Sequence, residues 1–441
     1  MYQEIETLTI YLNINTITNI HLAQLRKTLT MKQQKFTVNL SGANRQCRFN
    51  NMHLARVKRF LESNGHRVTM DAKDADYILF HSCGTFDIFK EESLDIYNQY
   101  VQSEGKTKVI DIGCLTKIYP ELPQENSDLT YTKEMDDLNS IFSLDKKLNE
   151  FHGFTCQSIV DTSFSYPQSK TGKILKLGHK IKDFFLYKML PKKSHLLKVL
   201  QEIHRNDKYF VEISRGCVGN CSYCIEKRVT GKTVTSRSIQ DIIDEIAQFY
   251  QKNIKLCLTS DDCGAYGIDI KENIFSLIKA INDKFPGLDI QLCNIYPMWI
   301  EKYESEYLNL IQNFNITSIN VPIQTGSHTV LKLMNRKYSI NNVIRIIREI
   351  RKRSSKILVW THIIIGFPGE TGDDFKKSIK LIKEFDFCFC YPYSNSKEAP
   401  SSKLDNHIPA LKKFLRNFHF RISYYFLIIK RFCFELLYGN P

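Results

Sequence analysis

Apolar positions along the chain fall into two periods, and the period changes from one stretch to the next. Residues 36–40 (FTVNL), 75–83 (ADYILFHSC) and 108–114 (KVIDIGC) read as strands. Between them, Leu54, Val57, Phe60 and Leu61 recur at helical spacing over 51–64, and Gly65 ends that helix. A second helix is expected near 91–101. Strands alternating with helices predict a doubly wound parallel sheet over 36–122, with its chemistry at the strand C-terminal ends. The first 35 residues carry no clear period and read as an extension of uncertain order.

From 209 onward the alternation repeats. Candidate strands are 209–217, 255–263, 288–297, 318–326, 356–367 and 387–394. Helical patterns lie between them at 239–250, 273–283, 303–313, 341–353 and 375–385. Six strand–helix units at roughly 30–40 residues each predict a partial (β/α)6 barrel over 209–400, with its site at the strand C-terminal ends. Residues 123–208 form a connector. A helical tail, basic and aromatic, is expected at 401–441.

Charge and composition refine this picture modestly. Lys and Arg number 61 against 47 Asp and Glu, a formal net charge of +14, which favours anionic partners or reflects a solvated basic surface. Lysines concentrate between 170 and 208. Apolar residues on either side of Pro191 suggest amphipathic helix there, serving as a docking surface or as a charged linker. The longest candidate membrane run, 422–429 (ISYYFLII), is closed by Lys430 and Arg431 and is too short to span a bilayer. With no signal-peptide pattern at the start, a cytoplasmic protein is expected.

Thirteen cysteines change the picture more. An odd count in a long chain argues against a disulfide scaffold and for thiolates that hold metal. Cys217, Cys221 and Cys224 have the spacing C-x3-C-x2-C on the loop after the first barrel strand. Three thiolates can bind three irons of a four-iron cluster and leave the fourth open. Gly216 and Gly219 allow the loop to bend closely around it. A zinc site would require a fourth ligand nearby, and none lies at the usual spacing. Cys47, Cys83 and Cys114 each come after a strand of the first sheet. They can converge on one edge as a second cluster site, or be three independent buried thiols. Cys257, Cys263, Cys293, Cys388 and Cys390 fall on barrel strands, and Cys156 and Cys433 stand alone; none receives a role.

The cysteine loop, with Tyr223 before its last cysteine, is the pattern of the radical S-adenosylmethionine (SAM) superfamily, and from about 36 to 403 the chain resembles its methylthiotransferases. Cys47, Asn50, Cys83, Gly113, Cys114 and Leu115 match the first domain's motifs. Cys217, Cys221, Cys224, Gly231 and Arg237 match the cluster loop and the segment after it. VPIQTGS (321–327), then Leu331, Met334, Asn335 and Arg336, match the fourth strand, and GFPGET (366–371) matches the fifth. LTSDDCGAYG (258–267) looks most like the branch that modifies threonylcarbamoyladenosine in tRNA.

The resemblance implies two [4Fe-4S] clusters, with Cys47, Cys83 and Cys114 holding an auxiliary one. It also implies two roles for SAM, as methyl donor to a sulfur at the auxiliary cluster and as source of the radical that opens a substrate C–H bond. Ser260, Asp261 and Asp262 are then expected near the methionine part of SAM, Gln324 and Ser327 near its ribose, and Ile364 and Gly366 near its adenine. Arg237 is expected to bind substrate. The expected substrate is tRNA beside the anticodon, with a peptide or protein side chain as the alternative, and other radical SAM chemistry or a non-enzymatic iron–sulfur protein as a lesser one. Expected partners are an electron donor such as flavodoxin or ferredoxin and a sulfur donor, with no membrane.

The chain departs from the family pattern at His81-Ser82, where Asn-Thr is usual, at Thr230, where Arg is usual, and at His362, where Asp is usual. The family's small C-terminal barrel, the TRAM domain, is not recognisable.

Overall fold

The structure, a computed structural model, describes residues 34–45, 47–103, 107–125, 129–167, 208–251, 254–354 and 356–438. The N-terminal extension before residue 34 and the basic half of the connector, 168–207, lie outside the described residues. So do the helices expected around Pro191.

The first unit has four parallel strands: β1 (Thr37–Gly42), β2 (Arg67–Thr69), β3 (Tyr77–His81) and β4 (Lys108–Asp111), in the order β2-β1-β3-β4. Helix α1 (Arg48–Ser63) comes after β1, and α2 (Asp87–Ser103) after β3. Buried Leu54, Val57, Phe60 and Leu61 of α1 close over Val38 and Leu40, so the period-3.6 stripe and the apolar strand make one core.

The second sheet has seven strands. Six are parallel: β6 (Lys208–Glu212), β9 (Lys255–Thr259), β10 (Asp289–Leu292), β11 (Ile316–Asn320), β12 (Leu358–Ile365) and β13 (Phe387–Pro392). The seventh, β5 (Phe154–Cys156), pairs antiparallel with β6. The order is β13-β12-β11-β10-β9-β6-β5, an open barrel. A short ribbon of β7 (Ser214–Arg215) and β8 (Thr235–Ser236) sits at the end of β6. Helices α3 (Ile239–Phe249), α4 (Ile274–Lys284), α5 (Glu304–Asn313), α6 (Ile340–Arg353) and α7 (Gly372–Leu381) carry the crossovers. This is the partial barrel expected from the alternating pattern. Strand β5 was not expected: three residues within a polar connector give no period to read.

Side-chain alternation separates wall from lumen. On β12, Val359, Thr361, Ile363 and Ile365 are buried, and Val359, Ile363 and Ile365 join the helix-facing core. Trp360, His362 and Ile364 on the opposite face are only partly buried. Leu256, Leu258, Ile290 and Leu292 likewise join that core. Cys257, Gln291 and Cys293 therefore turn inward with Trp360 and His362.

The first unit lies across the barrel's mouth. Helix α1 packs on β5 and β6. Phe86 stacks on Tyr391 at the end of β13, with ring centroids 5.5 Å apart. Ser394 donates to Asp87 Oδ2 at 2.7 Å. Leu115, Ile118 and Tyr119 share a small core with Ile225 and Ala399.

Beyond β13 the chain forms α8 (Ala410–Tyr438), as the helical reading of the tail expects. One face packs on β13 and α7 through residues such as Phe420, Tyr424 and Leu427. The other exposes Leu411, Phe414, Leu415, Phe418, Tyr425, Phe426 and Ile429. Among the described residues no helix is long and apolar enough to cross a membrane.

Candidate active site

Three strand ends of the first sheet each deliver a cysteine. Cys47 caps α1 and its Sγ accepts the Asn50 amide at 3.5 Å. Cys83 lies just past β3, and Asn44 Nδ2 approaches its Sγ at 3.8 Å. Cys114 lies just past β4, and its Sγ accepts the Gly84 amide at 3.2 Å. Cys83 and Cys114 hydrogen-bond each other, and Cys47 lies within electrostatic reach of both. The shared proton with Cys114 is the main reason Cys83 is held down to about 6, while burial first, and Cys83 second, push Cys47 up to about 12.

Buried Asp111 fixes this edge. Its Oδ2 accepts from Ser82 Oγ at 2.9 Å and its Oδ1 from the Gly113 amide at 2.9 Å. A Cβ at Gly113 would collide with the Ser82 backbone, so the close approach of the two loops requires glycine there.

The second trio lies on the loop after β7. Gly216, at φ +87°, turns the chain where a Cβ would strike the Thr233 carbonyl. The Gly219 amide donates to Cys217 Sγ at 3.2 Å, and a Cβ there would press on the Cys217 thiol. Burial pushes Cys217 and Cys224 up to about 12, helped by Asp262 and Glu226 respectively. Arg336 donates to Cys221 Sγ at 3.3 Å, to the Tyr223 hydroxyl at 3.0 Å and to the Pro322 carbonyl at 2.7 Å.

Among the described residues no three His, Cys, Asp or Glu side chains close around one point as ligands of a single metal ion would. A four-iron cluster asks for something else, thiols spaced over separate iron corners with amide and guanidinium donors turned to the sulfurs. The first trio has amide donors on Cys47 and Cys114, and the second has an amide on Cys217 and a guanidinium on Cys221, a donor set that suits cluster thiolates. Glu226 links them: it has open surface, yet burial leads in pushing its carboxyl up to about 7, with Asp261 and Cys83 adding to it. It also acts on Cys47 and on Cys224. The two cysteine loops adjoin each other, since Leu115, next to Cys114, packs with Ile225, next to Cys224.

The residues expected around SAM are brought to the same strand ends, mostly with partners within the chain. Ser260 Oγ pairs with Ser214 Oγ at 2.8 Å. Asp261 accepts the Gly216 amide at 2.7 Å and so holds the cluster loop. Asp262 accepts from Trp299 Nε1 at 2.8 Å and from the amides of Gly264 and Tyr296 at 3.1 and 3.2 Å. Burial raises both carboxyls to about 6. Ser327 caps the helix after β11 and donates to Asp374 at 2.6 Å. Gln324, at φ +64°, bridges β11 to the Ile364 amide at 2.8 Å, and its buried side-chain oxygen has no partner in the chain. Gly366, at φ +72°, donates to Glu370 at 2.8 Å. Arg237 turns inward to Glu245 at 2.6 Å and to the Glu212 carbonyl at 2.9 Å.

Several site residues carried no assigned role in the sequence reading. A chain of contacts crosses between the units: Glu212 accepts from Arg215 at 2.7 Å, Arg215 meets His53 at 2.9 Å, and His53 meets His81 at 3.1 Å. Burial, then Arg215, holds His53 neutral. Arg336 was visible as a motif position, and the Tyr223 beside its cysteines was the signal. In the lumen, Cys257 and Cys293 bring their sulfurs to 3.0 Å, and Arg48 hydrogen-bonds Cys293. Cys263 is fully buried and donates to the Leu258 carbonyl at 3.6 Å.

A barrel with a three-cysteine loop at its mouth, faced by a second three-cysteine edge, defines a radical SAM enzyme. The profile of the Radical SAM superfamily matches residues 211–382, and that of Uncharacterized protein family UPF0004 matches residues 43–131. The ribosomal protein uS12 methylthiotransferase RimO of Clostridioides difficile (strain 630) is 30% identical over 360 residues, covering 79% of this chain and 73% of that protein. The threonylcarbamoyladenosine tRNA methylthiotransferase of Homo sapiens is 26% identical over 376 residues, covering 83% of this chain and 59% of that protein. The solved structure of TsrM from Kitasatospora setae shares the fold, with a TM-score of 0.51 at 14% identity, covering 79% of this chain and 71% of that one.

The chain belongs to the methylthiotransferases of the radical SAM superfamily. The tRNA branch suggested by 258–267 is not the more similar one, since the ribosomal-protein enzyme matches at higher identity. Local packing explains the misdirection. In that segment Asp262 is tied to three donors, Gly264 abuts the Trp299 ring, and Gly267 needs φ +85°. Such residues report the loop's fold and say little about substrate.

Proposed function

We propose that this enzyme replaces a C–H hydrogen of a protein or peptide side chain with a methylthio group, using an auxiliary [4Fe-4S] cluster on Cys47, Cys83 and Cys114 and a radical SAM cluster on Cys217, Cys221 and Cys224. The observation that carries this reading is the small core in which Leu115, beside Cys114, packs with Ile225, beside Cys224, so that the two cysteine loops adjoin each other. The protein substrate is supported by the greater similarity to enzymes named for a ribosomal protein. When bound, the clusters supply reductive SAM cleavage and a site for the transferred sulfur.

The chain's own residues position and enclose. Asp261 fixes the cluster loop at Gly216. Asp262, Ser260 and Ser327 fix the adjoining strand ends. The unpartnered Gln324 side-chain oxygen, on a residue whose backbone pairs with His362 and Ile364, offers SAM an acceptor. Arg237 supports the β6 end through the Glu212 carbonyl. An electron donor of the flavodoxin or ferredoxin class and a sulfur donor complete the reaction. All thirteen cysteines are free thiols, which suits a reducing cytoplasm.

Mass spectrometry of ribosomal proteins and of tRNA nucleosides, from cells with and without this gene, tests the proposal. A methylthio modification that disappears from a protein supports it. Loss of a methylthio group from tRNA instead, with proteins unchanged, overturns the protein substrate.

A further inference from the structure

Arg48 is the residue immediately after Cys47 and the first residue of α1. Its side chain leaves the first unit and enters the barrel. There the guanidinium lies over two rings, 5.4 Å from the Phe210 centroid and 5.5 Å from the Trp360 centroid. Phe210 is on β6, at one end of the six parallel strands, and Trp360 is on β12, four strands away. Both are lumen residues by alternation, because Val211 and Val359 join the helix-facing core. The same guanidinium hydrogen-bonds Cys293 at the end of β10, whose sulfur is 3.0 Å from Cys257 on β9. Trp360 is itself fixed by its indole N–H, which donates to Ser318 Oγ at 3.0 Å. One side chain thus touches residues of β6, β10 and β12 from a backbone position adjacent to a candidate cluster ligand.

A planar guanidinium suits this place. It can lie flat on aromatic faces and still donate at its edge, which an ammonium cannot do. Outside the lumen, the Cys47 loop is held by partners of the first unit and the connector. Its Sγ accepts one amide, Asn50 and Asn51 donate to the loop carbonyls of Asn44 and Arg45, Asn51 accepts from the Tyr166 hydroxyl, Arg45 pairs with Asp161, and Asn44 approaches Cys83 Sγ. None of these partners is on a parallel barrel strand; α1 meets the barrel further along, at β5, β6 and through His53 and Arg215, whereas Arg48 reaches into the lumen from the position next to Cys47.

We infer that Arg48 is the strut that fixes the Cys47 loop over the barrel, and thereby sets the spacing between the auxiliary cysteines and the radical SAM cysteines. It is a positioning residue, and its role in cluster spacing rests on the proposed pair of clusters.

The test uses the full-length, iron-reconstituted chain with Arg48→Ala and Arg48→Lys. Hydrogen exchange of a peptide spanning 43–51 should rise by about tenfold in Arg48→Ala, the scale expected for losing a desolvated cation–π clamp. Peptides from β9 and β10 should keep their wild-type exchange. Dithionite-driven cleavage of SAM, which needs only the barrel cluster, should be retained. The electron paramagnetic resonance broadening that two reduced clusters impose on each other should weaken. Arg48→Lys should behave as Arg48→Ala.

Unchanged exchange at 43–51 in Arg48→Ala overturns the inference. Full retention of wild-type exchange in Arg48→Lys does so too, since charge without planarity would then suffice. Iron for only one cluster in the wild type is a separate failure. It would refute the pair of clusters, while the exchange result would still decide whether Arg48 fixes the loop.

Discussion

Arg336 points Nη1 at Cys221 Sγ, 3.3 Å away, while its guanidinium lies 4.4 Å from the centroid of the Tyr296 ring. The side chain is buried, and it also contacts the Tyr223 hydroxyl, the Pro322 carbonyl and the Tyr338 ring. A donor on a ligand sulfur stabilises the more negative, reduced state of a cluster. Arg336→Ala should therefore lower the reduction potential of the barrel cluster by on the order of 50 mV, close to a tenfold change for one electron. A redox titration monitored by electron paramagnetic resonance measures this directly. An unchanged potential would show that Arg336 serves only packing.

Iron stoichiometry separates the two trios. Two four-iron clusters imply about eight irons per chain after anaerobic reconstitution. Cys83→Ala should hold about half of that, with reductive cleavage of SAM retained, because Cys217, Cys221 and Cys224 lie on a separate loop. If Cys83→Ala keeps all its iron, the auxiliary assignment is wrong.

The architecture was legible in the sequence because it rests on period. Parallel strands buried on both faces give continuous apolar runs such as IDIGC and ILFHSC, and their crossover helices give the 3.6 stripe. The cysteine loop was legible because its three ligands are close in sequence. The first trio was legible only as three strand ends, and the fold is what brings Cys83 and Cys114 into contact. Arg48, His53 and Glu226 could not be read at all. Each is a single polar residue whose meaning comes from what another domain places opposite it. Strand β5 escaped for a different reason: Phe154–Cys156 is too short for any period to show.

His362 sits where the family usually has Asp, in a lumen lined by Trp360, Phe389 and Tyr391. Burial, then Arg48 and Arg336, lowers it to about 3. Unfolded, it titrates near its ordinary value of 6.5. The folded state therefore refuses a proton that the unfolded state accepts below that pH. Its stabilising contribution is complete above about pH 6.5 and is lost as pH falls toward 3. Between pH 7 and 5 the loss should be about 1–2 kcal/mol, the upper end discounted because the ring is only partly buried. Urea unfolding at the two pH values checks this. His362→Asn should show a smaller drop by that amount, and an identical drop would remove His362 as the cause.

Arg416 ties the C-terminal helix to the fifth-strand loop. From α8, its Nη1 reaches both the Glu370 carboxylate and the Glu370 carbonyl. The other job of that carboxylate is to accept the Gly366 amide at 2.8 Å. Both partners of the ion pair are nearly inaccessible to solvent. Burial raises the Glu370 carboxyl, so removing the arginine would leave a charge the site cannot solvate. Arg416→Ala should cost about 3–5 kcal/mol of stability, the range for breaking one side of a buried pair. Arg416→Ala with Glu370→Gln should recover part of it, because the orphaned charge is then gone while the Gly366 amide keeps an acceptor. The double variant should still free α8, since no contact restores the tie between helix and loop. Protease cleavage within 410–438 should therefore accelerate in both variants, while unfolding in urea improves only in the second. Equal protection of α8 in all three proteins would show that its packing on β13 alone holds it.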